Sequence, residues 1–276
     1  SYRIFKVLMT MGRIGNMRKN ILLLCSLAIA ASIFSGCHKE EPKPDPRPAA
    51  LEVTASIESG AKVSIEETAT EITLAWQVDD VIKGFWKKDN TINALEYTVQ
   101  SVDSKSGAAT MKLKSGTEPK ADGTPVHMLL APGNCCSSFN GGEATADISA
   151  QDGTLQGVKK NLILCATAQV ENSTLHFKFR QQTALIDIKS FKDNSGAISP
   201  CGLFITGTGI SKGTVKVVNN VLTLVPGSAR SSIYAPVPAS GALWLTIFPA
   251  ESHTLNFHAN GGGKAALYKS LTRKFS

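Results

Sequence analysis

The sequence predicts an all-β protein that follows an export signal. Three observations support this prediction. Short segments from residue 51 onward alternate apolar and polar residues, Gly, Asn and Ser turns separate them, and no window outside residues 1–36 keeps a helical period. Such alternation is typical of antiparallel sheets with one solvated face, so we expect packed sheets arranged as a β-sandwich.

The alternating segments predict strands in both halves of the chain. They are residues 51–57, 72–76, 110–114, 175–179, 185–188, 215–217, 222–224 and 243–248. Asn219-Asn220 separates two of them and predicts a tight hairpin. A boundary near residue 172 predicts an N-terminal domain over 51–172 and a C-terminal domain over 173–276, both of ordinary β-sandwich size. The second domain ends in an apparent strand with no turn after it, which is typical of a truncated domain.

Residues 1–36 have the pattern of a secretory signal peptide, with Met17 as the expected natural start. A short basic segment precedes an apolar run over residues 21–34, which is shorter than the about 20 residues that a membrane-spanning helix needs. Five of the 29 basic residues and none of the acidic residues lie in this segment. The net charge of +7 therefore falls to +2 over the other 240 residues, and it does not indicate a nucleic-acid partner.

The end of the apolar run resembles the lipobox of bacterial lipoproteins. Phe34-Ser35-Gly36-Cys37 places two small residues before a cysteine, and the resemblance implies that Cys37 carries the lipid. Lys39-Glu40-Glu41 then resembles the surface-export signal of Bacteroidota lipoproteins, which implies the outer face of the outer membrane. The prolines of residues 37–50 predict an extended linker between the anchor and the first strand.

Residue types and spacings do not predict an enzyme or a cofactor. No G-x-S-x-G elbow occurs, and the five histidines do not stand at metal-ligand spacings. The glycine-rich segment 207–213 lacks the spacing of a phosphate-binding loop and predicts a β-turn. We expect no catalytic activity, no metal and no cofactor. Four cysteines remain after the predicted lipidation, and their disulfide state stays open: Cys135, Cys136, Cys165 and Cys201.

Residues 76–82 carry a resemblance to a known family. Their sequence, Trp-Gln-Val-Asp-Asp-Val-Ile, is similar to the W-x-x-G-D-x-I signature of Bacteroidota fimbrillins, the subunits and relatives of type V pili. Trp76, Asp80 and Ile82 match the signature, and Asp79 stands where the family has Gly. Further landmarks follow in the family's order: Ala131-Pro132, Gln151-Asp152-Gly153, residues 175–188 and residues 245–249.

The resemblance implies two transthyretin-like antiparallel β-sandwich domains behind a lipoprotein signal peptide. In this family a trypsin-like protease cuts the loop after the first strand, and a strand from another subunit fills the exposed groove. Lys62 is the corresponding candidate processing site, although the family usually has Arg there. The first strand presents four apolar residues at alternate positions: Leu51, Val53, Ala55 and Ile57.

The family resemblance also implies the location and the partners. We expect a fimbrillin-like lipoprotein, lipid-anchored in the outer membrane at the cell surface or in a fimbria, that acts in pilus assembly and cell adhesion. Its partners would be other pilus subunits or further copies of itself, the outer membrane, and a host or bacterial surface receptor. No nucleic acid is expected.

An alternative interpretation is a surface glycan-binding lipoprotein, which would share the anchor and the β-sandwich plan. Glycan platforms usually display exposed aromatic residues. Trp86, between Phe85 and two lysines, is the tryptophan that this interpretation would place at the surface. Trp76, in contrast, is interpreted as an ordinary core residue.

Overall fold

The structure is a computed structural model that describes most of the chain from residue 51 onward. The described residues are 51–58, 67–68, 71–72, 75–193, 196–240, 242–260 and 267–275. The predicted signal peptide with Met17, the linker with Cys37, and the candidate processing site Lys62 lie outside these residues.

The described residues form β-strands and one short α-helix. The first half contains β1 (Glu52–Ile57), β2 (Glu67–Thr68), β3 (Glu71–Ile72), β4 (Val81–Lys88), β5 (Thr91–Val102), β6 (Ala109–Gly116), β7 (Pro125–Leu130), β8 (Ala144–Asp147), α1 (Leu155–Lys160) and β9 (Leu164–Gln169). The second half contains β10 (Thr174–Gln181), β11 (Ala184–Ile188), β12 (Phe191–Asp193), β13 (Gly196–Ile198), β14 (Gly202–Thr208), β15 (Lys212–Val218), β16 (Val221–Pro226), β17 (Arg230–Pro236), β18 (Leu243–Ile247), β19 (Ala250–Asn260) and β20 (Leu267–Phe275). The predicted all-β class is confirmed.

Seven strands close into a barrel in the order β1-β10-β9-β7-β4-β5-β6. Six of the seven neighbouring pairs in this ring are antiparallel, and the pair of β1 with β10 is parallel. The barrel interior is filled by apolar side chains from every one of its strands, among them Tyr97, Phe177 and Phe179, which are fully buried. The pair of β1 with β10 is therefore the one place in the ring where the antiparallel pattern is interrupted.

Tight turns with left-handed residue pairs connect the hairpins. Asn219 and Asn220 have φ values of 51° and 62° between β15 and β16, which confirms the predicted hairpin. Asn172 and Ser173 have φ values of 49° and 60° and connect β9 to β10. The division into domains at this point stays a prediction, and the two strands that flank it are hydrogen-bonded neighbours in the barrel.

Two further layers pack outside the barrel. Strands β16, β15 and β8 form a sheet whose apolar face shares a core with Phe85 and Leu129 from the barrel wall. The four-stranded sheet β17-β14-β19-β20 packs its inner face against the pair β11-β18, and these elements share a separate apolar core. This second arrangement has the two packed layers expected of a sandwich.

Two local predictions were wrong. Alternation predicts a strand over residues 72–76, but residues 75–77 lie outside any strand because the backbone of Gln77 bonds to Asp80 in a turn instead of to a neighbouring strand. The sequence also predicts no helix, whereas α1 is present. Its first turn is capped by Thr154, whose Oγ1 accepts a hydrogen bond from the Gly157 N–H at 2.9 Å. A six-residue helix is too short to produce a recognisable period.

Candidate functional site

Strand β1 and the slot that it fills are the candidate functional site. Residues Glu52–Ile57 pair in parallel with β10, and Val53–Ala55 pair antiparallel with β6 on the other side. Parallel pairing is slightly less stable per residue than antiparallel pairing. Without β1, the edges of β10 and β6 would face each other across a slot one strand wide.

The side chains of β1 alternate between the barrel core and the surface, as predicted. Val53 and Ala55 are 2% and 0% exposed, and Leu51 and Ile57 pack partly against the same core. Burying one large apolar side chain stabilises a fold by about 1.5–3 kcal/mol, and Val53 is the only such side chain that β1 buries completely. Strand β10, in contrast, buries three large side chains. Strand β1 therefore contributes fewer large apolar side chains to the barrel core than β10 does.

Polar contacts at both ends fix the register of β1 on β10. The Glu52 N–H donates to the Ser173 carbonyl at 3.0 Å, and the Glu58 N–H donates to the Phe179 carbonyl at 2.9 Å. Just beyond the strand, Arg180 Nε donates to Glu58 Oε2 at 2.7 Å. Exposed ion pairs contribute only about 0–1 kcal/mol, so this pair specifies alignment more than it adds stability.

Trp76 packs at the end of the slot. Its indole is 4% exposed and meets the ring of Phe179 edge-on, with the ring centroids 5.1 Å apart and an interplanar angle of 80°. Phe179 in turn lies opposite Ile57 in the parallel pair. The Nε1 of Trp76 has no hydrogen-bond acceptor among the described residues. The indole thus acts through packing, as expected for a core tryptophan.

The turn after Trp76 accounts for the residue type at position 79 of the signature. Asp79 has φ of 71°, in the left-handed region that glycine adopts most easily and that Asp tolerates better than most residues. Its N–H donates to the Val99 carbonyl at 3.0 Å, and the Val99 N–H donates to the Asp80 carbonyl at 3.0 Å. The turn therefore joins the start of β4 to β5, and a glycine at position 79 in the family would serve the same geometry.

Asp80 closes this turn with its side chain. The Gln77 N–H donates to Asp80 Oδ2 at 2.8 Å, and Lys159 Nζ donates to Gln77 Oε1 at 2.6 Å. Burial raises the pKa of Asp80, while the Gln77 N–H and the charge of Lys159 act in the opposite direction. The third signature residue, Ile82, is 0% exposed and shares the barrel core with Trp76. The three residues thus form one structural unit beside the slot.

Trp86 occupies a position unlike the one that the glycan-binding alternative requires. Its indole is half-buried, packs partly against the barrel core, and donates through Nε1 to the Thr117 carbonyl at 2.7 Å. It therefore presents a limited ring surface to solvent.

Within the described ranges, no group of three or more His, Cys, Asp or Glu residues is placed to hold a metal ion. Cys135, Cys136, Cys165 and Cys201 are free thiols. Burial raises the pKa of Cys165, which keeps it protonated and a poor nucleophile. In the same part of the chain, no helix has the length and apolar character needed to cross a membrane.

Sequence reasoning missed the residues that hold β1 in place. His176, Phe179 and Arg180 contact Thr54, Trp76 and Glu58 respectively, and each pair is separated by more than 100 positions in the chain. Alternation shows which face a strand buries, but it does not show which strand lies beside it. The parallel register of β1 on β10 brings the Thr54 and Glu58 pairs together, and Trp76 reaches Phe179 from the turn before β4.

Comparison with solved structures shows which known fold this chain shares. A protein from Bacteroides ovatus, provisionally assigned to cell adhesion, superposes with a TM-score of 0.53 at 16% sequence identity, over 82% of this chain and 87% of its own. The chain shares that fold. A protein from Bacteroides uniformis with the same provisional assignment gives a TM-score of 0.48 at 16% identity, over 82% of this chain and 85% of its own. No protein-family model matches the chain, and no curated protein does.

Proposed function

We propose that this chain is a surface-exposed, fimbrillin-like lipoprotein and a structural or adhesive subunit of type V pili, with no catalytic activity. The observation that carries the proposal is the position of β1, which buries one large apolar side chain and forms the one parallel pair of an otherwise antiparallel barrel. The fold shared with a Bacteroides protein provisionally assigned to cell adhesion supports an adhesive role.

The assembly step is β-strand addition. After β1 leaves, a donor strand from another subunit restores the backbone ladder to β10 and β6, and its alternate side chains enter the positions of Val53 and Ala55. Because Ala55 is 0% exposed, the donor needs a small residue at that position. The donor strand can leave only if all its backbone hydrogen bonds to β10 and β6 open. We therefore expect the contact between the two subunits to dissociate slowly.

The N-terminal features fit this assembly. A lipid on Cys37 anchors the chain in the outer membrane, and the proline-rich linker holds the barrel away from the bilayer. Cleavage after Lys62 frees the chain from its anchor and separates β1 from the rest of the barrel. The donor is another pilus subunit or a second copy of this chain, and the pilus presents the subunit to a surface receptor.

Processing and polymer formation are tested together on material sheared from cells that express the chain. We expect ladders that resist denaturing detergent, and N-termini that begin at Val63. The Lys62→Ala variant should lose both the ladders and the new N-terminus, whereas Lys88→Ala, at the exposed end of β4, should keep both. Wild-type material without ladders, with Cys37 as its only N-terminus, would contradict the proposal.

A further inference from the structure

Two exposed aromatic residues lie side by side on the sheet β17-β14-β19-β20. Phe204 on β14 is 41% exposed and Tyr234 on β17 is 50% exposed, and they stand directly opposite each other in the antiparallel register. Among the residues whose side chains the structure describes, no other aromatic residue is exposed to this degree. Directly opposite residues of an antiparallel pair lie on one face of the sheet, so the two rings share a surface.

The aromatic row continues across the sheet. His258 on β19 stands opposite Phe204 on its other side, and the two ring centroids are 6.5 Å apart in an edge-on arrangement. The register position opposite His258 on β20 is occupied by Tyr268. Residues from three strands, distant in the sequence, therefore form one row, which we call the aromatic row: Tyr234, Phe204 and His258.

The ring of Tyr234 lies low over the neighbouring strand. A methyl group on Gly202 of β14 would come within 3.1 Å of both Cε2 and Oη of Tyr234, and within 3.2 Å of Asn260 Oδ1 on β19. The ring thus extends from β17 across Gly202 towards β19. The absence of a side chain at Gly202 makes room for this position of the ring.

A row of hydrogen-bonding side chains runs beside the aromatic row. Thr206 stands opposite Ser232 on one side and Asn256 on the other. Arg230 Nη2 donates to Thr206 Oγ1 at 2.8 Å, which places the guanidinium beside this polar row. The outward positions of β14 and β17, and those of residues 254–260 on β19, include no Asp or Glu. The face therefore combines flat apolar rings, neutral hydrogen-bonding groups and a positive charge.

We propose that this face binds an oligosaccharide that carries a carboxylate. The apolar C–H face of a pyranose ring stacks on an aromatic ring, as the exposed rings of Tyr234 and Phe204 allow. The sugar hydroxyls meet the polar row, and the sugar carboxylate pairs with the Arg230 guanidinium, whose planar fork suits a carboxylate. The absence of acidic groups from the described outward positions makes the charge of the face complementary to such a ligand.

The composition of the face favours a glycan over other occupants. A single-stranded nucleic acid also stacks on aromatic rings, but its binding requires several cations along the backbone, and the described outward positions of this face include one arginine, Arg230, and no lysine. A protein partner would need a larger apolar centre than two exposed rings provide. The proposal goes beyond the proposed function, because strand addition uses β1 and its slot, whereas this face belongs to β14, β17, β19 and β20.

The test measures binding of the full chain, in detergent, to a set of defined oligosaccharides by calorimetry. The acidic probes are oligogalacturonate, a hyaluronan oligosaccharide and sialyllactose, and the matched neutral probe is methyl-esterified oligogalacturonate. We expect at least one acidic probe to bind, and to bind more tightly than its neutral counterpart. Equal binding of the ester, binding of a single-stranded oligonucleotide alone, or no binding of any acidic probe would overturn the proposal.

Variants locate the site. Tyr234→Ala and Phe204→Ala should each weaken binding about tenfold, and Tyr234→Phe, which keeps the ring, should stay close to wild type. Arg230→Gln should weaken binding of the acidic probe and leave any binding of the ester unchanged. Val218→Ala, which removes an exposed apolar side chain from β15, is the matched control. Unchanged affinity in Tyr234→Ala and Phe204→Ala would overturn the proposal, and thermal unfolding confirms that each variant is folded.

The outcome is independent of strand addition. A chain that binds the acidic probe but forms no ladders keeps this inference and loses the proposed function. A chain that forms ladders but binds no probe keeps the proposed function and loses this inference.

Discussion

The Trp76 indole packs edge-on against Phe179, the residue of β10 that lies opposite Ile57 of β1, with the ring centroids 5.1 Å apart. This contact joins the fimbrillin-like signature to the wall of the slot that β1 fills. The tryptophan therefore supports β10 directly, and it supports β1 only through β10. Such a wall would keep its shape when the strand in the slot is exchanged.

Truncating Trp76 is expected to destabilise the barrel strongly. Trp76→Ala removes a buried indole and leaves a cavity, which typically costs about 3–5 kcal/mol in the free energy of unfolding. Trp76→Phe should cost clearly less, because the indole Nε1 has no acceptor to lose among the described residues. Urea unfolding followed by fluorescence or circular dichroism measures both changes. A loss below about 1 kcal/mol for Trp76→Ala would contradict the packing role.

Position 79 is expected to select residues by backbone conformation. Asp79→Gly should change the free energy of unfolding by less than about 1 kcal/mol, because relief of the left-handed strain offsets the greater freedom of the unfolded chain. Asp79→Val should destabilise by about 1–2 kcal/mol, because a β-branched residue is disfavoured at a φ of 71°. Asp89, with φ of 48° in the β4–β5 turn, is a second left-handed position, and Asp89→Gly should likewise be more stable than Asp89→Val. Equal free energies of unfolding for Asp79→Gly and Asp79→Val would show that the backbone conformation at position 79 does not discriminate between residue types.

The sequence predicts those parts of the fold that depend on local alternation. Strand β10 alternates over its whole length, and Asn219-Asn220 marks a hairpin, so both could be found without the structure. The parallel pairing of β1 with β10 could not, because its two strands are separated by more than 100 residues. The aromatic row could not be predicted either, because the sequence does not show the register of β14 and β17 that makes Phe204 and Tyr234 neighbours.

The candidate site was predictable in part for a similar reason. The alternation of Val53 and Ala55 shows that β1 buries one face, and the structure places both in the barrel core. The alternation of residues 72–76 predicts a strand that continues to Trp76, whereas residues 75–77 lead into the turn at Asp79. Alternation alone does not show where such a segment leaves the sheet and enters a turn.

Gln151 is expected to be the main polar connection between residues 148–153 and β18. Its side chain, 7% exposed, donates to the Thr246 carbonyl at 2.8 Å and accepts from the Thr246 N–H at 2.9 Å. Gln151→Leu leaves both backbone groups buried without partners, and each such group costs about 1–3 kcal/mol. We therefore expect a loss of about 3 kcal/mol in urea unfolding. The control Gln156→Leu, at an exposed position of α1, should stay near wild type.

His127 is expected to make stability depend on pH. Burial, and then the charge of Lys87, lower its pKa to about 4. The unfolded chain binds the proton more tightly than the folded one, so this contribution to stability is complete above a pH of about 6.5 and is lost as the pH falls towards 4. Within that window the free energy of unfolding should fall by about 1.4 kcal/mol per pH unit through this group.

The comparison with His127→Gln isolates this effect. Glutamine keeps a hydrogen-bonding group near Thr167, whose Oγ1 lies 3.0 Å from His127 Nδ1, but it does not titrate. The variant should therefore show a flatter dependence of unfolding on pH between 4 and 6.5 than the wild type. Parallel curves for the two proteins would contradict the role of His127.

Exchange of β1 for an added strand tests the central claim most directly. A specific protease site is placed within residues 59–66 of the chain, the chain is cut there, and a fluorescent peptide with the sequence of residues 51–58 is added. The account predicts that the peptide replaces β1 and that a Thr54→Phe peptide, altered at a half-exposed position, also binds. An Ala55→Phe peptide should fail, because Ala55 is 0% exposed and leaves no room for a ring. Equal binding of the Ala55→Phe peptide, or no exchange with any peptide, would contradict the account.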